Sequence, residues 1–260
     1  MVNTRCDDQN TESVDVRGVL ADVAGLGPFF TVATDPAEVV DPGWRPMRDL
    51  HTDPGPLHDR ITHVRRVLGG TDGSDRVDDR VAASIAFQGL AALVVSAPFA
   101  AAVLHGVLPR LTPAALHWRV SVSGPWPLWC PAPDAVPVPD VDEAAVALAA
   151  ALLDEHLAPL VTAVRAQVPI APRVLWGSVA SSVASGKRLV SVQRPAAAER
   201  AAAVAQRLLA TGPLAGTGEL RPPQGPDLHW SFRRRSCCLY YRVPGGGLCE
   251  DCVLHARPAR

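Results

Sequence analysis

The chain has 260 residues, a formal net charge of −1 and 48% hydrophobic residues, with only 5% aromatics. A chain of that length buries a sizeable core without covalent staples. Its near-neutral balance excludes the broad positive field that nucleic acid or an anionic membrane surface attracts. The cations are almost all arginine, and Lys187 is the sole lysine.

Met1 to Asn10 is polar and acidic, without the apolar stretch of a secretory leader, so a cytoplasmic protein with reduced thiols is expected. Residues 1–12 are expected to be disordered. Val16, Val19, Leu20 and Val23 recur at helical spacing, predicting a short helix over residues 13–26. Pro36, Pro42, Pro46, Pro54 and Pro56 predict a loop-rich connector over 35–58, followed by a helix over 58–68. Residues 69–75 read as an acidic, glycine-rich loop. Residues 81–104 carry no charge and are long enough to cross a bilayer. Ser84, Gln88, Gly89 and Ser96 favour instead a helix buried on all sides, breaking at Pro98.

Residues 116–122 alternate as a strand does, and a second short strand is expected after the turn at Gly124. Trp118, Trp126 and Trp129 gather there, as core packing or as an aromatic wall beside a bound chelate. Cys130 reads as a structural thiol, and Cys6 as exposed and incidental. Asp140 and Glu143 form a helix start resembling a capping box. The apolar run 144–168 then breaks or kinks at Pro159. Further helices are predicted over 174–184 and 196–209, the latter opened by Pro195. Residues 211–228 read as a Pro/Gly linker, 239–243 as a strand, and Pro244 with the glycines after it as a turn.

Several motifs fail their tests. Gly177 to Lys187 has the wrong spacing for a phosphate-binding loop, and Arg188 stands where Ser or Thr belongs. Gly216-Thr-Gly218 lacks a preceding strand, and no nucleophile elbow or paired histidine motif occurs.

The chemistry concentrates near the C-terminus. Cys237, Cys238, Cys249 and Cys252 are spaced C-C-x10-C-x2-C, which suggests a metal site. Cys249 and Cys252 form an ordinary two-sulfur clamp. Cys237 and Cys238 do not, because side chains of adjacent extended residues point to opposite faces. A centre with two metals relaxes that demand. The spacing therefore favours a [2Fe–2S] cluster over a single structural zinc, which stays open as the alternative.

The motif, with Phe232 to Tyr241 before it and Cys249 to Leu254 closing it, resembles that of the FhuF-like ferric-siderophore reductases. A second likeness lies at Val174-Leu-Trp-Gly-Ser178, where the family reads Leu-Trp-Gly-Asn and this chain departs at Ser178. The resemblance implies a [2Fe–2S] protein that passes one electron to a ferric siderophore in the cytoplasm. A ferredoxin or a flavin reductase would re-reduce it.

The fold expected is α+β and mainly helical. Residues 1–215 would form a large helical domain with a small antiparallel sheet. Residues 216–260 would form a cluster-binding segment ending in a hairpin. Arg233, Arg234, Arg235 and Arg242 make the densest positive patch. They would offset the cluster's negative charge and, with Trp176, meet an anionic chelate; a solvated basic strand is the alternative. His229 and His255 flank the motif. No nucleic-acid partner and no integral span are expected, while peripheral membrane association stays open. The competing functions are a zinc-stapled binding protein and an iron–sulfur redox sensor without turnover.

Overall fold

The computed structural model describes residues 14–70, 77–121 and 123–256. The expected disorder over 1–12 lies outside them, as does most of the 69–75 loop. The fold is mainly helical with small antiparallel sheets. Helix α1 (Val16–Ala24) starts where the Asp15 carboxylate accepts the Gly18 N–H, and it buries the four residues picked out by their spacing. The stretch 35–58 holds more structure than its prolines suggest. It contains a 3-10 turn (Pro36–Val40), strand β1 (Arg45–Pro46), helix α2 (Asp49–Thr52) and the start of α3 (Pro54–Gly69). Proline opens the 3-10 turn and α3, where its missing N–H costs no helical bond, so it initiates rather than breaks.

Helix α4 (Asp79–His105) is the centre of the molecule, capped by Asp78 and closed by left-handed Gly106 at φ 64°. It packs against α1, α3 and, most extensively, the later helix over Pro172–Gln193. Its apolar window is 78% buried, as the buried-helix reading expects. The expected break at Pro98 does not occur: the helix runs through it. Pro98 sits in a fully packed stretch, where burial of its neighbours offsets the one lost backbone hydrogen bond.

The 116–122 strand shortens to β3 (His117–Trp118), the middle of a sheet ordered β1-β3-β4, with β4 at Leu128–Trp129. A separate ribbon pairs β2 (Val107–Pro109) with β5 (Ala135–Pro137). Trp118 stacks on Trp126 at 4.4 Å and 11°, and Trp129 lies 5.6 Å from Trp44. All three predicted tryptophans are buried, so they serve the core. Cys130 is buried with them.

Asp140 caps α5 (Val141–Leu148) through the N–H groups of Asp142 and Glu143. The break expected at Pro159 is a π-helical stretch, Ala149–Leu157, that widens the helix just before α6 (Ala158–Gln167). Helix α7 (Pro172–Gln193) is longer than expected, and a 3-10 turn at Pro195–Ala197 leads into α8 (Ala198–Leu209). The expected linker contains β6 (Gly218–Arg221), paired with β7 (Ser231–Arg234).

The π-helical stretch buries His156, whose Nε2 lies 2.6 Å from the Leu111 carbonyl oxygen. Burial lowers its pKa from 6.5 to about 4. Between those values the unfolded chain binds a proton that the folded chain refuses. Stability therefore falls as the pH drops through this window, by up to about 3 kcal/mol from this residue. Urea titrations of wild type and His156→Gln at neutral and mildly acidic pH check this. The variant should lose less stability on acidification, and equal losses would remove His156 as the cause.

Candidate metal centre

Strand β7 lays the C-terminal segment along α7. The approach is close because Gly177 has no side chain: a Cβ there would meet Ser236 Oγ at 2.3 Å and Arg234 Nη2 at 3.2 Å. Ser236 donates to the Arg173 carbonyl at 2.9 Å. Arg234 Nη2 donates to the Val174 carbonyl at 3.1 Å and to Ser178 Oγ at 3.2 Å. The Leu-Trp-Gly-Ser stretch thus faces the cysteine segment directly, and the Ser178 hydroxyl supplies an acceptor. Trp176 is half-buried against the core.

The strand expected over 239–243 is absent. Leu239 takes a left-handed conformation at φ 70°, and a 3-10 turn follows at Tyr240–Arg242. The turn lets the Leu239 N–H reach Cys237 Sγ at 3.3 Å, wrapping the backbone round the sulfur rather than along a ladder. Gly245, at φ 70°, reverses the chain towards the Cys249–Cys252 turn, closed by Cys252 N–H to Cys249 carbonyl at 3.0 Å. The ladder-paired hairpin is therefore β6–β7, upstream of the thiols. From α4, Ser84 donates to the Cys238 carbonyl at 2.9 Å.

Cys238 Sγ lies 3.8 Å from Cys249 Sγ. Cys237 feels the charges of both Cys238 and Cys252. Among the described residues no three His, Cys, Asp or Glu side chains gather at one point. Cys238 and Cys252 are buried, while Cys237 and Cys249 are half-buried. Cys249, sharing its proton, holds the Cys238 thiol below its ordinary pKa and is itself pushed up; Arg234 lowers both. Burial raises Cys237.

The arginine run divides by strand alternation. Arg234 points inward and is 1% exposed. Its Nε and Nη1 are buried without acceptors, and its charge acts on Cys238 and Cys249. Arg234 therefore cannot meet a chelate from solvent, which corrects its expected substrate role. Arg233 reaches the Val253 carbonyl at 3.3 Å. Arg235 is exposed beside Glu219, at 3.5 Å. Arg242 is exposed over the Tyr241 ring. His255 Nε2 lies 2.9 Å from the Cys249 carbonyl, whereas His229 is exposed on the preceding linker.

Behind the thiols runs a buried ion network that sequence reasoning missed. Lys187, fully buried, donates to Asp227 Oδ1 at 3.0 Å and to the carbonyls of Leu228 and Trp230 at 2.8 and 2.5 Å. Arg188 joins Asp227 at 2.9 Å to Asp251 at 3.4 Å, and also pairs with Glu250. Burial lowers the Lys187 pKa, opposed by Asp227. Burial raises Asp251, opposed by Ser181, Arg188 and Arg234. Arg234 N–H to the Asp251 carbonyl, at 3.0 Å, completes the clamp on the Cys249–Cys252 turn. A sole lysine inside a small-residue helix was the only available signal. A cavity of about 470 Å³ opens beside Cys252, rimmed by Arg188, Arg221, Arg233 and His255.

Residues 234–254 match the family model described as FhuF 2Fe-2S C-terminal domain. The match begins at Arg234 and encloses all four cysteines of the motif. No curated protein matches the chain. The C-terminal segment is thus of the FhuF type and carries a [2Fe–2S] cluster.

Gly177→Ala should destabilise the protein by about 1–3 kcal/mol, since the Ser236 hydroxyl and the Arg234 guanidinium must move away. Thermal unfolding, with iron content measured on the same samples, checks this. Unchanged stability and iron content would show that the close approach is dispensable.

Proposed function

We propose that Cys237, Cys238, Cys249 and Cys252 hold the [2Fe–2S] cluster, two thiolates to each iron. We further propose that the protein is a ferric-chelate reductase, acting on Fe(III) bound in a siderophore. The observation that carries the ligand assignment is the 3.8 Å approach of Cys238 and Cys249, with Cys237 and Cys252 on the same two turns, above a buried guanidinium with two free donors. A single zinc needs all its ligands round one point, whereas this cluster needs a pair at each end. The cluster, when bound, supplies reversible one-electron chemistry.

The chain's own groups do the rest. Arg234 sets a positive charge and N–H donors behind the thiolates, which stabilises added negative charge and raises the potential. Ser84, Ser236 and the Arg188 clamp hold the sulfur-bearing turns in place. The cavity beside Cys252 gives an oxygen-rich chelate a place to approach, with Arg233 and Arg221 at its rim. The substrate Fe(III) gains one electron and becomes Fe(II), which hard oxygen donors hold more weakly, so the metal leaves. No acid, base or nucleophile is needed. Exposed Arg235 and Arg242 suit docking of the acidic face of an electron donor, a ferredoxin or flavin reductase. On this reading the chemistry runs in the cytoplasm, where thiols are kept reduced.

Each Cys→Ser variant should lose most cluster absorbance in anaerobically purified protein, while wild type bleaches with dithionite and recovers its colour on adding a ferric siderophore. A colourless wild type with stoichiometric zinc would overturn the assignment. A reduced cluster that ferric siderophores fail to reoxidise would overturn the reductase reading alone. Arg234→Met should lower the midpoint potential and weaken cluster retention by about 10–100-fold, with partial rescue in Arg234→Lys. A redox titration and release of iron to a chelator measure both.

A further inference from the structure

A second cavity, of about 620 Å³, lies between α3, α4, α7 and the turn after α1. Its size suits a compact organic molecule. Phe29, Phe30, Ile85 and Leu189 make its wall largely apolar. Arg60, on α3, enters it without a counter-ion. Its Nε is buried with no acceptor, its guanidinium stacks 4.8 Å from the centre of the Trp126 ring, and burial alone depresses its pKa. Gln88 Oε1, on the facing helix, is likewise buried without a partner. Most other arginines whose contacts are described here meet a carboxylate or a carbonyl, which makes Arg60 an exception. Holding an unpaired cation in an apolar wall is costly, and an anionic group lying against it would remove that cost.

We infer that this cavity binds an organic anion with an apolar, ring-sized body and a single carboxylate or sulfonate, its charge on Arg60 and its body against Phe29 and Ile85. The site does not touch the thiols, yet it lies close to them in the fold. Gln88 is one helical turn, about 6 Å along the axis, beyond Ser84, which bonds the Cys238 carbonyl. Ser182 is likewise one turn beyond Ser178, the acceptor of Arg234. An occupant able to carry electrons would thus sit beside the cluster. That consequence rests on the electron-transfer reading; the binding does not.

Titration calorimetry on the cluster-loaded full-length protein tests it, with 8-anilinonaphthalene-1-sulfonate as probe and N-phenyl-1-naphthylamine as its uncharged counterpart. Wild type should bind the anion at one site, at least tenfold more tightly than the neutral compound. Arg60→Gln should remove that preference and leave neutral binding unchanged. Gly89→Leu should abolish both. A Cβ at Gly89 meets only Arg60 Nη2, at 3.9 Å, so the new side chain fills the cavity and favours the helix. Wild-type anion affinity in Arg60→Gln, or undiminished binding in Gly89→Leu, would overturn the assignment. Heat of binding is read without turnover, so such a result would leave the reductase reading standing, and failure of that reading would leave this site.

Discussion

The pairing of Lys187 and Arg188 with Asp227 and Asp251 binds the C-terminal segment to the helical body. It ties three separate stretches together: the middle of α7, the linker before β7, and the turn between Cys249 and Cys252. The charges are buried, so their net stabilisation against an apolar alternative is small, while removal of any one partner would leave a charge stranded at a cost of about 3–5 kcal/mol. The network therefore acts as a specifying device. Only one placement of the cysteine turn satisfies Lys187, Asp227, Arg188 and Asp251 together.

That placement makes the thiols useful. Two cysteines adjacent in sequence cannot clamp one ion from a regular strand, and here they do not try. The left-handed residue Leu239 and the 3-10 turn after it send Cys238 towards Cys249 and leave Cys237 Sγ to accept the Leu239 N–H. Arg234 fills the space behind them. Strand alternation alone puts it inside while Arg233 and Arg235 face outward. The positive patch visible in the sequence is thus two features, a buried charge against the thiols and an exposed rim.

The helical body positions this centre through two small-residue contacts. Gly177 lets β7 approach α7, and Gly186 admits the Phe99 ring of α4 at close range. Their exchange for larger residues would separate the layers that carry Ser84, Ser178 and Lys187. The same two helices line the Arg60 cavity one turn further on. Metal centre and cavity are therefore neighbours along one helix pair.

Much was legible without a structure, because it depends on local chemistry. Cysteine spacing pointed to a two-metal centre. Asp140 capped its helix as its side chain requires, α1 buried the residues its periodicity selects, and the uncharged run around Leu90 became the central helix. What failed was also local reasoning, applied where distant contacts decide. Pro98 did not break α4, since packing on all sides offsets one missing bond. Residues 239–243 did not form a strand, since the Leu239 N–H turns to sulfur and those of Arg242 and Val243 close a 3-10 turn. Lys187 and Arg188 looked like a failed phosphate loop, and their role appears only when Asp227 and Asp251 arrive from forty or more residues away. By itself the sequence determined which atoms could bind metal and which faces had to be buried. The tertiary structure alone decided how the thiols are placed, which arginine lies beneath them and which cation is left for a ligand, because burial and partner distance are properties of the folded chain.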